Sequence, residues 1–235
     1  MGKLVRLMST MRPTVSLTAI VAIAAVFTLS ACKKQTANPP DLGFNYYPAE
    51  AGSWIVYDVD SIAHNDNNNT IDTFRFQLRE TIESVFEDDE GRESLRIERY
   101  RRADSSHPWV LGDVWYSTRT LTGLEQVEEN QRYLKLKFPP GAGDRWDGNA
   151  FNDQQRQDYE YTEVDMAATV NGNSFDSTLY VKQIDETNLI EIRFANERYA
   201  RGVGMIFKEY TDLDLQTGAG TEVTMQVHSW GGGIQ

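Results

Sequence analysis

From Phe44 onward the apolar positions recur at every second residue, or in short apolar runs, and not at helical spacing. Residues 54–61 are rich in β-formers. Phe74, Phe76, Leu78, Ile82 and Phe86 share one parity, with only Glu80 and Ser84 interrupting, and predict one long strand with these side chains facing inward. Glu87-Asp88-Asp89-Glu90-Gly91 then makes a charged turn into a strand over 92–102, where Leu95 and Ile97 alternate with charge. Further strands are expected over 114–121, 132–138, 159–170, 174–184, 189–194, 205–210 and 221–230. Asn171-Gly172 reads as a hairpin turn, because both residue types tolerate positive φ. Asp185-Glu186-Thr187-Asn188 is a second tight connection. No long amphipathic helix is present in the pattern; 122–130 and 195–200 have room for one or two helical turns.

This pattern predicts a mainly β domain over 44–235, roughly ten antiparallel strands with little helix, apolar on one face and charged on the other. A sheet of that size curves, closing toward a barrel or a sandwich. Two segments resemble each other: Tyr47-Pro48 followed by Gly52-Ser53-Trp54, and Phe138-Pro139 followed by Gly143-Asp144-Arg145-Trp146. They are read as one local device, a bend fixed by proline and glycine that leads into a strand plugged by tryptophan, in preference to a true internal repeat.

The N-terminal 31 residues have a different pattern. Lys3, Arg6 and Arg12 come without an acid, and residues 15–29 are apolar except for Ser16, Thr18 and Thr28. A basic start and a short apolar run form a secretory signal, and the run is shorter than the roughly 20 residues a spanning helix needs. It ends in Leu29-Ser30-Ala31-Cys32, which resembles the lipobox of bacterial lipoproteins. That resemblance implies cleavage after residue 31 and lipidation of Cys32, with palmitate among the acyl groups and the membrane as partner through that lipid. Cys32 is the only cysteine, so no internal disulfide competes for it. Residues 32–43, polar and proline-containing, read as a tether.

Charge narrows the partners. The full chain carries a net −12, and removal of residues 1–31 takes away three basic residues and no acids. So acidic a domain is repelled by nucleic acid and by anionic headgroups. His64, His107 and His228 have no ligand spacing, which argues against zinc. Asp66-Asn67-Asn68-Asn69-Thr70-Ile71-Asp72 alternates oxygen ligands but lacks the glycine and distal glutamate of an EF-hand, and Asp212-Leu213-Asp214-Leu215-Gln216 fails in the same way. No metal and no cofactor is expected. Serine lacks a nucleophile elbow, and carboxylates are too common for their proximity to signify, so an enzyme is the least favoured reading.

The most site-like segment is the loop 139–158, long for a hairpin connection. Its Trp146, Asp147, Asn149, Phe151, Asn152 and Asp153 combine an aromatic with amides and acids, a set suited to a sugar or peptide. The plainer reading, that Trp146 and Phe151 pin the loop to the sheet, is preferred.

The opening Tyr46-Tyr47-Pro48, Gly52-Ser53-Trp54-Ile55-Val56-Tyr57 and the late Tyr199-Ala200-Arg201-Gly202-Val203-Gly204-Met205-Ile206 resemble β-rich lipoproteins of Bacteroidota. The resemblance implies an outer-membrane address but no agreed activity. Some surface-exposed members carry acids after the lipidated cysteine; Lys33 and Lys34 depart from that and favour the periplasmic face. Three functions follow as alternatives: a non-catalytic binding or scaffold lipoprotein with an envelope protein partner, a carrier of an apolar ligand inside a curved sheet, and a glycan- or peptide-acting enzyme.

Overall fold

A computed structural model describes residues 2, 40–66 and 70–232. The chain divides into two units, Met1–Pro40 and Asp41–Gln235. The signal, Cys32 and the tether up to residue 39 lie outside the described residues, as do residues 67–69 of the Asn-rich turn.

Among its described residues the second unit has β-strands and their connections, with one 3-10 turn, Phe44–Tyr46. Its strands are β1 (Trp54–Asn65), β2 (Thr70–Glu87), β3 (Glu93–Arg102), β4 (Val110–Arg119), β5 (Gly123–Glu128) and β6 (Gln131–Lys137). They continue with β7 (Arg145–Asp147), β8 (Asp158–Val170), β9 (Asn173–Thr187), β10 (Glu191–Ala200), β11 (Gly204–Asp214) and β12 (Gly220–Gly231). All twelve form one antiparallel sheet in which sequence neighbours pair, β12 returns to pair with β1, and β6 and β7 are the two edges. The sheet curls until those edges approach, so the expected curved antiparallel architecture is present as a nearly closed barrel of twelve strands.

The two additional strands are β5 and β7. β5 is buried on both faces, so the alternation that marks a half-buried strand is erased there. Leu124 and Val127, three apart, imitate a helical period, yet they pair across the sheet with Leu136 and Tyr116. β7 has three residues, too few for any period to register. Residues 195–200 lie within β10.

The long β2 departs from its expected face. Leu78 and Ile82 are buried, but beyond a register shift between Ile82 and Ser84 the inward file is lost: Val85 and Phe86 are both exposed, so Phe86 does not face the interior as expected. At the other end, pairing with β3 begins only at Gln77, so β2 overshoots the barrel wall and Phe74 is 50 % exposed. The expectation that Phe74 faces the interior is corrected accordingly. Phe76 is partly buried against the core.

Strand direction defines two ends. At the proximal end β1 begins, and the connections 87–93, 119–123, 137–145, 170–173 and 200–204 turn; the other connections turn at the distal end. The chain reaches the proximal end through a clamp. Tyr46 is fully buried and donates through its hydroxyl to Asp165 (2.6 Å). Arg201 bonds Asp165 (2.8 Å), Asp41 (2.7 Å) and Asn45 (2.6 Å), with its guanidinium over the Tyr46 ring. Gly202 N–H donates to the Asn45 carbonyl (2.7 Å).

The two look-alike segments build the same turn. Gly52 (φ 88°) donates to the Ile82 carbonyl and Ile82 donates back to Ser53, both at 2.8 Å. Gly143 (φ 83°) donates to the Tyr161 carbonyl (2.7 Å) and Tyr161 donates back to Asp144 (3.1 Å). Ser53 and Asp144 each donate to the carbonyl three residues earlier. Positive φ at one position makes glycine the residue that costs least there. One turn launches the 12-residue β1, the other the 3-residue β7.

Candidate functional site

Two groups of residues could carry a site: the long loop and the interior of the barrel. The loop is mostly engaged in closing the sheet. An edge strand such as β6 presents unpaired backbone groups, and here side chains from the other edge satisfy them. Trp146 donates from Nε1 to the Leu134 carbonyl (2.8 Å), and Asn152 donates from Nδ2 to the Arg132 carbonyl (3.0 Å). The Tyr161 hydroxyl accepts from Lys137 N–H and donates to the Lys137 carbonyl, both at 2.8 Å. Leu134 N–H donates to the Gly148 carbonyl (2.9 Å). The seam between β6 and β7 is therefore stitched, largely by side chains.

Of the six loop residues singled out by sequence, Trp146 is buried in this seam between Tyr159 and Tyr161. Asp147 accepts from the backbone of Asn149 (3.0 Å) and Gln157 (3.1 Å), folding the loop back on itself. Asn149 bonds the Gln155 carbonyl and lines a cavity. Asn152 belongs to the seam, while Phe151 and Asp153 are exposed. The structure thus brings Trp146 and Asn152 together as stitches and places Asn149 alone of the six on the cavity wall.

That cavity is the distal half of the barrel interior, about 660 Å³, walled by β5–β6, the loop 148–157 and β8–β11. Its volume lies within the range of roughly 300–1,000 Å³ usual for small-molecule sites. Amides and phenols dominate: Asn149, Gln154, Gln155, Gln157 and Gln183, with Tyr133, Tyr159 and Tyr210. The proximal half holds a smaller cavity of about 90 Å³, bordered by Trp54, Ile55, Tyr57, Val203 and Met225 among others.

Glu128, Lys135 and Lys208 border both cavities and mark the layer between them. Lys135, on β6, lies 2.7 Å from Glu197 on β10 and 3.2 Å from Glu128; Lys208 lies 3.3 Å from Glu197. Glu197 also accepts from the Tyr199 hydroxyl (2.6 Å). Burial opposes the charge on Lys135, but Glu128 and Glu197 outweigh it and hold its pKa well above the usual lysine value. Burial likewise opposes the Glu197 carboxylate, yet Lys135 and Lys208 bring its pKa down to about 2. Burial raises the Tyr199 pKa, and the neighbouring Glu197 charge adds to that. Both ions are therefore charged and paired. A lysine held protonated is a charge and a donor, not a nucleophile.

Sequence reasoning missed this layer. Lys135, Glu197 and Lys208 are single charges in strands, indistinguishable there from a solvated face. Elsewhere, the three histidines each meet a carboxylate: His64 with Glu222, His107 with Asp104 and His228 with Asp58. Asp214 accepts from the backbone of Gln216 and Thr217, so its segment is a capped turn. Among the described residues no three metal-ligating side chains are grouped to hold an ion.

No protein-family model matches the chain, and no curated protein matches it. Among solved structures the chain is similar to a candidate lipoprotein from Parabacteroides distasonis, with 11 % identity and a TM-score of 0.41, over 79 % of this chain and 98 % of that one.

Proposed function

We propose that this chain is a lipid-anchored envelope protein that binds a polar ligand, without transforming it, in the distal half of its barrel. The observation that carries the reading is the polar cavity of about 660 Å³, whose floor is a layer of buried, mutually neutralised charges. Paired, fully ionised groups supply hydrogen bonds and rigidity; acid–base chemistry needs a group poised near the ambient pH, and Lys135 and Glu197 are held far from it on either side.

The anchor in this proposal is the lipid on Cys32, in the outer membrane and facing the periplasm. Asp41 stands nine positions after Cys32, a reach of about 30 Å when extended. The chain joins the barrel at its proximal end, at the Arg201 clamp, which leaves the distal mouth free for a soluble ligand or an envelope protein partner.

The apolar-carrier alternative has less support. The cavity with the more apolar border holds about 90 Å³, below the size of a typical ligand site.

Two measurements test the proposal. Full-length protein expressed with labelled palmitate should carry the label in the outer-membrane fraction, and Cys32→Ser should lose it; label retained by Cys32→Ser removes the anchor. A ligand-observed NMR screen of polar and apolar small molecules against the detergent-solubilised chain should give polar binders that Tyr210→Ala weakens. Binding confined to apolar compounds would replace this reading with the carrier.

A further inference from the structure

We infer that the ligand of the distal cavity is an uncharged, hydroxyl-rich saccharide. The inference rests on the binding role proposed above and adds the chemical class.

The first observation is charge balance. Every charged side chain on the cavity wall has an opposite charge beside it. Lys135 meets Glu128 and Glu197, Lys208 meets Glu197, Arg193 meets Glu186 at 3.2 Å, and Arg156 meets Asp158 at 2.6 Å. Four cations and two carboxylates, Glu128 and Glu186, line the wall, and Glu197 and Asp158 just behind it bring the balance to four against four. In a chain of net charge −12 this neutrality is local. An acidic or basic ligand would surrender its hydration without finding an unmatched partner, which costs several kcal/mol for a buried ion. A neutral ligand has no such penalty.

The second observation is an unsatisfied donor. Gln183, on the inward file of β9 with Leu179 and Val181, is 6 % exposed, and its Nε2 has no hydrogen-bond partner. A buried amide left unpaired costs about 1–3 kcal/mol. An acceptor brought in by a ligand would remove that cost. The wall therefore asks for oxygen, not for charge.

The third is the mixture of amides with phenol rings. Tyr133, Tyr159 and Tyr210 offer flat apolar faces beside polar edges. A sugar ring matches both, with a C–H face for a tyrosine and hydroxyls that donate and accept for asparagine and glutamine. A short peptide brings charged termini that this balanced wall does not call for.

Saturation-transfer NMR on the full chain in detergent distinguishes the classes. The probes are maltotriose, tri-N-acetylchitotriose, trigalacturonate and trialanine. A neutral trisaccharide should bind, and Gln183→Leu should weaken it about tenfold, the loss of one well-made hydrogen bond. Leu121→Ala, exposed on the proximal connection 119–123 and outside the cavity, should leave it unchanged. Should Gln183→Leu fail to fold, Tyr210→Ala on the wall takes its place with the same expectation. Preference for trigalacturonate or trialanine overturns the saccharide class and leaves the binding role standing. Binding of none of the four overturns this inference, and the NMR screen above then decides the binding role. Neutral-sugar binding indifferent to both wall variants places the site elsewhere and overturns the inference.

Discussion

Lys135 and Glu197 meet across the interior of the barrel, Nζ to Oε1 at 2.7 Å, one from the edge strand β6 and the other from β10 on a different part of the sheet. Their side chains are 5 % and 0 % exposed. The pair links walls that share no backbone ladder, and so acts as an internal strut.

Removing one end of the strut should be costly. Lys135→Met leaves Glu197 with Lys208 as its remaining cation and Glu128 with none from β6, and is expected to lower stability by about 3–5 kcal/mol. The double variant Lys135→Met/Glu197→Leu should recover part of that, since the fully buried Glu197 carboxylate is gone, while Glu128, Lys208 and the Tyr199 hydroxyl each lose a partner. Urea unfolding of the three proteins measures it. A double variant no more stable than the single one would show that the loss does not come from a stranded Glu197 carboxylate.

The same pair sets an acid limit. Glu197 is held at about 2 in the folded protein, against 4.5 for the ordinary group. A carboxylate with a depressed folded pKa stabilises the fold fully above the unfolded value and loses that contribution as pH falls through the folded one. Stability should therefore decline between about pH 4.5 and pH 2, with Asp165, also held at about 2, following the same sign. In Lys135→Met the Glu197 value should rise toward the unfolded one, so the decline should still begin near pH 4.5 but be smaller and end at higher pH. Thermal melts from pH 7 to pH 2.5 would show it, and coincident profiles for the two proteins would count against the coupling.

The seam makes a separate prediction. Trp146→Phe keeps an aromatic ring against Tyr161 but withdraws the Nε1 donor from the Leu134 carbonyl. An orphaned buried carbonyl costs about 1–3 kcal/mol, and hydrogen exchange at the Leu134 amide should quicken as the edge loosens. Gly148→Ala should act more strongly on the same amide, because a Cβ there would collide with the Tyr159 ring. Unchanged exchange at Leu134 in both variants would mean that the seam is held elsewhere.

The β8–β9 hairpin offers a calibration. Asn171 and Gly172 have φ of 48° and 78°, the primed turn that a right-twisted hairpin favours. A Cβ on Gly172 would touch nothing within 4 Å, so Gly172→Ala should cost about 1 kcal/mol from the backbone alone. Chemical denaturation would detect this. A loss several times larger would point to the contacts of the tip, where Asn171 bonds the Val227 carbonyl and Asp58.

What the sequence disclosed tracks the range of the interaction responsible. Alternation reports a strand buried on one face, and most of the sheet, including the Asn171-Gly172 turn, was legible from it. β5, buried on both faces, loses the alternation, and β7 is too short to have one. The length of the 139–158 loop marked it as unusual, but its use in the seam depends on Trp146 reaching a carbonyl twelve residues away and Asn152 one twenty residues away. The polar cavity was hidden for a different reason. Its inward side chains, Gln183 and Lys135 among them, read in the sequence as outward ones, because polarity identifies the solvated face only when the interior is apolar.

The Arg201 clamp has a mechanical consequence. Tension arriving along the chain from upstream of Asp41 reaches Arg201 and Tyr46 before it reaches any strand. If it passes them, it pulls β1 lengthwise between β2 and β12, with which it is paired along nearly its whole length. The ladders are then loaded in shear, many bonds at once, and do not peel one by one. A barrel pulled this way is gripped along its longest seam, away from its mouth.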